Sequence, residues 1–475
     1  MEGEIIIDGE NYTLALNTSP SDKGYYFAAL DGVVNNITVS GSTLTANESF
    51  FFRAPVENGN YKVTLTTNAT SVISECITES VEYYFVNNAG TTLTKTYTPS
   101  KFPNGQPYIG ITKNITSDTP FEVAVCDGVL DLEFVYSNSA ITLSAVTIAK
   151  ETYTARDKPC LLAVGDSTLA LGDKTIKTST TQHSWGACIS NGYVNLSDKL
   201  SDFINCGQSG GDAVTIYTDA RIEKILLNCR PGDYVSVNIG INNNKSYEIG
   251  GQKVDKSGSL AAMGPILEKY LIDAVKERGG IPFITTITAQ GPDASTETAE
   301  NNSGVYNNSE TEITNETYLY GGKITTYLYL YDNHNYANDN YFPKAYDLFN
   351  EQYRGQKAFY AGTMYDTGDS IPANTWINSR HNDPYNIALI DIANYYQCPI
   401  VDLGVFGEKY LNKHLSESKD FAIVRDTYYT DKHHYQKTWG IVLAKYMESC
   451  VEKMIIGTYS YPYCDYEPNY CYFGD

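Results

Sequence analysis

Ser167 and His434 stand near opposite ends of one long segment, each in a setting suited to chemistry. Ser167 closes the run Leu161-Leu162-Ala163-Val164-Gly165-Asp166-Ser167, apolar and strand-like until it breaks at Gly-Asp-Ser. His434 follows Asp431-Lys432-His433, just ahead of a helix-like stretch. Between them lie a Gly-rich turn, Gly207 to Gly211, and the loop Gly240-Ile241-Asn242-Asn243. These residue types offer a nucleophile, a base, a carboxylate to orient the base, and amide donors for an oxyanion. Acyl-transfer hydrolysis requires those four parts.

The local settings suggest roles. Ser167 follows a strand and starts a helix, so its N–H is expected to face a pocket with the helix dipole behind it. In Asn205-Cys206-Gly207-Gln208-Ser209-Gly210-Gly211, the glycines let a backbone N–H approach a ligand closely. The Asn242 amide can donate to the same oxygen. Asp431 and His434 are three apart, so both can turn towards the site from one short loop. Asp431 would hold the Nδ1 proton of His434 and leave Nε2 to take the Ser167 proton. His433 is the neighbouring competitor. Asp173, His183, Asp402 and His414 are read as structural. Each block also has a plainer reading: a capped turn, a strand-to-helix turn, an Asn-rich turn.

Such residues need a scaffold. Residues 1–155 read as all-β, with period-two runs such as Tyr61-Lys62-Val63-Thr64-Leu65 and Leu130-Asp131-Leu132-Glu133-Phe134. Turn signals such as Glu57-Asn58-Gly59-Asn60 and Asp127-Gly128 separate them, and about ten strands at this spacing suggest a β-sandwich. A polar linker, Thr152 to Pro159, follows. From there strands at 160–164, 202–205, 233–239, 282–287 and 399–403 alternate with helices at 214–228, 258–278, 384–397 and 435–454. That alternation predicts an α/β unit over 156–457, with a parallel sheet covered on both faces. The site would lie beyond the carboxyl ends of the strands. Residues 293–376, rich in Asn, Thr and Tyr, read as a surface insertion, and 458–475 as a Tyr/Cys-rich tail.

The ordered blocks resemble those of the SGNH (GDSL-type) hydrolases, and within them the rhamnogalacturonan acetylesterase-type carbohydrate esterases. Gly-Asp-Ser stands at 165–167, a Gly block at 205–211, Gly-x-Asn at 240–242 and Asp-x-x-His at 431–434; Trp185-Gly186 also matches. The resemblance implies a three-layer α/β/α domain. It also implies Ser167 as nucleophile, His434 as base oriented by Asp431, and an oxyanion hole of Ser167 N–H, Gly210 N–H and the Asn242 side chain. Two positions depart: Asn243 replaces an Asp, and Trp439-Gly440 replaces Gly-Ala after the His. Arg53 to Val63 resembles, more weakly, a galactose-binding-like, jelly-roll-like domain that precedes some of these esterases, which implies either glycan binding by the sandwich or a structural platform.

The net charge of −22 argues against nucleic acid and anionic membrane as partners. No apolar run approaches the ~20 residues that span a bilayer. The ten cysteines show no metal-ligand spacing, so no metal or other cofactor is expected, and Cys464 with Cys471 could close a disulfide loop. The N-terminus lacks a basic and apolar leader, while sequons such as Asn11, Asn36, Asn68, Asn114 and Asn315 point weakly to secretion. The expectation is an extracellular serine esterase that removes acetyl groups from a plant cell-wall polysaccharide of the rhamnogalacturonan or pectin type. Acetyl xylan esterase, GDSL lipase or thioesterase, and an inert carbohydrate-binding protein are the alternatives.

Overall fold

A computed structural model describes residues 4–18, 24–29, 34–77, 81–86, 92–97, 109–174, 176, 182–240, 242, 247–249, 252–254, 266–288, 389, 393, 396–404, 406–407, 410–411, 414, 421–430 and 434–459. The insertion at 293–376 and the tail cysteines fall outside them.

The N-terminal part forms a seven-stranded and a five-stranded sheet, with a further hairpin of Val81–Val86 and Thr92–Tyr97. Alternation decides what is buried. In strand Gly59–Thr67, Tyr61, Val63 and Leu65 point inwards while Lys62 is exposed. Both sheets feed one core, in which Ile5, Tyr61 and Leu143 meet Phe27, Phe52 and Leu132. The pairings are antiparallel except that Glu4–Ile7 runs parallel to Ile141–Glu151.

The C-terminal part is built on five parallel strands: β1 (Leu161–Gly165), β2 (Phe203–Gly207), β3 (Tyr234–Asn238), β4 (Ile281–Thr285) and β5 (Ile400–Val401), in the order β2-β1-β3-β4-β5. Strands β1 and β3 are buried throughout, so each face carries its own core. Leu162, Val164 and Val237 pack under α3 (Ala213–Thr218) and α4 (Arg221–Asn228). Leu161, Ala163 and Phe283 pack under α2 (Trp185–Ser190) and the long α7 (Lys437–Ile455). Chain order reverses at β1, so the crevice beyond β1 and β3 is where such a sheet takes a ligand.

Several expected elements differ. The helix expected over 214–228 is two, because Ala220 adopts a left-handed conformation at φ 57°. The described part of the helix expected over 258–278 passes through a π-helical stretch, Glu268–Asp273, into α5 (Ala274–Glu277). The strand expected over 399–403 pairs only at Ile400–Val401, and most of the helix expected at 384–397 lies outside the described residues. Helices α2 and α6 (Phe421–Tyr428) were not foreseen.

The sandwich is seated on the α3/α4 layer. Ile77, Ile109, Ile111 and Cys126 belong to the same apolar cluster as Ile216, Ile225 and Tyr270. Arg278 donates to Asn60 Oδ1 (2.8 Å), Gly59 O (2.9 Å) and Val125 O (3.1 Å), and Asn60 Nδ2 donates to Leu226 O (2.9 Å). The linker is pinned as well: Arg156 pairs with buried Asp233 at 3.1 Å, and Arg230 lies 3.4 Å from the Tyr153 ring centroid.

Candidate active site

Strand β1 ends at Gly165, and a side chain there would not fit: a Cβ would lie 2.4 Å from Asn238 O on β3. The tight approach sets the turn. Asp166 caps α1 (Ser167–Ala170), its Oδ1 accepting from the Thr168 N–H and from Thr168 Oγ1, both at 2.8 Å. Ser167 is thereby the first helical residue, whose N–H has no intrahelical acceptor. Helix α1 has only four residues, so its dipole adds less than the sequence reading expected, and the local N–H matters more.

His434 Nε2 lies 3.0 Å from Ser167 Oγ, joining residues 267 positions apart. The loop carrying the imidazole is fixed at several points. Thr430 N–H donates to His434 O at 2.9 Å, and Tyr429 bridges Tyr435. The His183 N–H donates to Tyr435 O at 3.1 Å, and the Tyr435 hydroxyl bonds Thr288 just beyond β4. Behind the loop, Trp439 is fully buried, stacked on Tyr410 at 5.3 Å and edge-on to Tyr428 at 5.8 Å. Gly440 has a physical reason too, since a Cβ there would come within 2.2 Å of His183 O.

The Gly block and Asn242 come together. Asn242 is buried, and its Nδ2 donates to Gly211 O at 3.0 Å, leaving its second amide hydrogen for another acceptor. The Gly211 N–H is committed to Gln208 O at 3.0 Å. Gly210, at φ 73°, is exposed. Asp431, His433 and Asn243 lie outside the described residues.

A buried network that the sequence reading missed supports the turn. Asn238 Nδ2 donates to Thr168 Oγ1 at 2.9 Å, while its Oδ1 accepts from Thr285 Oγ1 at 3.0 Å and Trp185 Nε1 at 3.3 Å. The signal was an Asn closing an otherwise buried strand, Tyr-Val-Ser-Val-Asn. Two residues read as structural are held in such bonds: Asp173 accepts from Asn205 Nδ2 at 2.7 Å, and Asp402 from Thr286 Oγ1 at 2.9 Å. Burial first, then Lys437 and Lys174, hold the His183 imidazole below its ordinary pKa. Among the described residues no cluster of His, Cys, Asp and Glu is placed to hold a metal ion, and the eight described cysteines are buried free thiols.

No family model and no curated protein matches the chain. Among solved structures, protein YxiM from Bacillus subtilis is similar over 97% of this chain and 100% of its own, at 16% identity and a TM-score of 0.37. A family-two carbohydrate esterase from Clostridium thermocellum, solved with cellohexaose, is similar over 57% of this chain and 78% of its own, at 12% identity and a TM-score of 0.17. A salicylyl-acyltransferase from a tetracycline biosynthetic pathway covers 57% of this chain and 74% of its own, at 11% identity and a TM-score of 0.18. TM-scores this low leave function to be argued from the chain's own geometry.

Proposed function

We propose that this chain is a serine esterase of the SGNH type that removes O-acetyl groups from a plant cell-wall polysaccharide of the pectin or rhamnogalacturonan class. The observation that carries the reading is the 3.0 Å contact between His434 Nε2 and Ser167 Oγ at the carboxyl edge of a parallel sheet. A hydroxyl and an imidazole at that distance can exchange a proton. His434 takes the Ser167 proton as Oγ attacks the acetyl carbonyl carbon. The carbonyl oxygen becomes an oxyanion, stabilised by the Ser167 and Gly210 N–H groups and the free Asn242 amide hydrogen. The Gly211 N–H is already bonded to Gln208, which favours Gly210 of that adjacent pair. The imidazolium then protonates the leaving sugar oxygen, and the C–O bond breaks to give an acetyl-enzyme. Water, deprotonated by His434, releases acetate and restores Ser167. Asp431 is the proposed partner of His434 Nδ1.

The chemistry is assigned to 156–457, and to the sandwich, 1–155, either glycan binding or the role of a structural platform. A polymeric substrate fits work outside the cell. Hydrolysis of p-nitrophenyl acetate tests the core of the proposal: Ser167→Ala should abolish it with the fold retained, and more than about a tenth of the wild-type rate in that variant would overturn it. Acetate release from acetylated rhamnogalacturonan, homogalacturonan and xylan then ranks the polymers.

A further inference from the structure

We propose that Lys174, Lys437 and His183, gathered around the ring of Tyr193, form an anion-binding subsite for an acidic glycan, recognising its uronate carboxylates or sulfate esters. The inference rests on the esterase reading for its polymeric substrate.

Lys437 Nζ lies 3.4 Å from the Tyr193 ring centroid and Lys174 Nζ 6.0 Å from the same point. The His183 ring centroid lies 5.8 Å from that of Tyr193. Two ammonium groups are thus brought to one aromatic ring. In a chain of net charge −22, carboxylates are plentiful, and other lysines use them: Lys62 pairs with Glu151, Lys113 with Glu223 and Lys150 with Glu57. Among the described residues, neither Lys174 nor Lys437 has a carboxylate within ion-pair distance. The π-face offsets part of the charge on each ammonium but supplies no hydrogen-bond acceptor oxygen. An anion bound beside the ring would accept from an ammonium that no described carboxylate neutralises.

His183 adds a directional group. Its Nδ1 is buried and has no hydrogen-bond partner among the described residues, which in a native structure asks for an explanation. In the neutral imidazole, the tautomer protonated at Nε2 would present a donor that needs no counter-ion, away from the buried Nδ1.

The position follows from the same residues that set the site. Lys437 opens α7 three residues after His434, and Lys174 comes seven residues after Ser167. The Lys174 N–H is tied to Asn191 Oδ1 at the end of α2, at 3.2 Å. The His183 N–H is bonded to the carbonyl of Tyr435, next to the proposed base. On this proposal the sugars next to the one whose acetyl ester reaches Ser167 extend towards these lysines. The overall negative charge repels a polyanion at long range, so a local cationic foothold is what such a substrate would need.

The test is calorimetric binding of two ligands without acetyl groups to the full chain: a short oligogalacturonate and a sulfated galacto-oligosaccharide of equal length. Binding of the wild type to either supports the subsite, and the preferred ligand tells carboxylate from sulfate. The double variant Lys174→Gln/Lys437→Gln should weaken that binding about tenfold or more. Lys174→Arg/Lys437→Arg should stay within about threefold, since charge and donors are kept. Thermal unfolding of both variants checks that they are folded. Binding of neither ligand by the wild type, or equal binding by the Gln variant, overturns the subsite. p-Nitrophenyl acetate carries no anionic group, so loss of the esterase reading would appear in that assay and not in this one.

Discussion

Two buried polar sites, the carboxyl edge of the parallel sheet and Glu75 at the seam of the sandwich, are satisfied differently. At the carboxyl edge of the parallel sheet, Asp166, Asn205, Asn238 and Thr285 are buried and bonded to one another or to nearby main chain. Where the sandwich meets α3 and α4, Glu75 is also buried, yet its Oε1 has no partner among the described residues and its backbone sits at φ 51°. Burial first, then Asp127, Asp131 and Glu223, push its carboxyl well above the ordinary range. Polar burial that is fully bonded can fix a reactive group in place, whereas an unpaired carboxyl is a standing cost that protonation reduces.

Five changes would break or sharpen this contrast. The largest effect is expected at the edge itself: His434→Ala should lower kcat on p-nitrophenyl acetate by ~10⁴-fold or more, with circular dichroism unchanged. Next, Asn242→Ala should cost ~10²–10³ in turnover, with a smaller change in KM. Asn238→Leu leaves Thr168, Thr285 and Trp185 each short of a partner; denaturant unfolding should show a loss of about 2 kcal/mol, and kcat should fall with it. An unchanged stability would mean the network is ornamental to the fold.

The smallest effects belong to raised carboxyls. Glu448 on α7 is pushed up to about 7 by burial, then by Glu452. A carboxyl raised in the folded state contributes stability that is present below its ordinary value of 4.5 and lost as pH rises through about 7. Glu448→Gln should therefore raise Tm at pH 8 by ~1–3 °C and leave it almost unchanged at pH 4. Glu75→Gln should act in the same direction, flattening the fall in Tm as pH rises. An opposite sign at Glu75 would show that its charge is compensated and would erase the contrast between the two regions.

Much of the scaffold was legible because its signals are local. Apolar runs such as 160–164 and 233–239 were recognisable as strands, and the breaks after such runs pointed to Ser167, the Gly block and Asn242. Period two in Tyr61-Lys62-Val63 gave the sandwich. Less was legible where geometry depends on distant partners. The break at Ala220 has no Gly or Pro to announce it. Asn238, Thr168, Thr285 and Trp185 meet only once four segments are folded together, and no spacing rule links them. The Tyr193 patch is likewise assembled from three separate segments. Asp431 and the 293–376 insertion, both singled out in the sequence, lie outside the described residues.

The Arg278 fork has a mechanical consequence. With one guanidinium gripping three acceptors across the seam, the N-terminal unit behaves as a bolted fixture and not as a tethered arm. A glycan held by that unit would be presented at a constant offset from Ser167, so which acetyl ester is removed would be a matter of measured length.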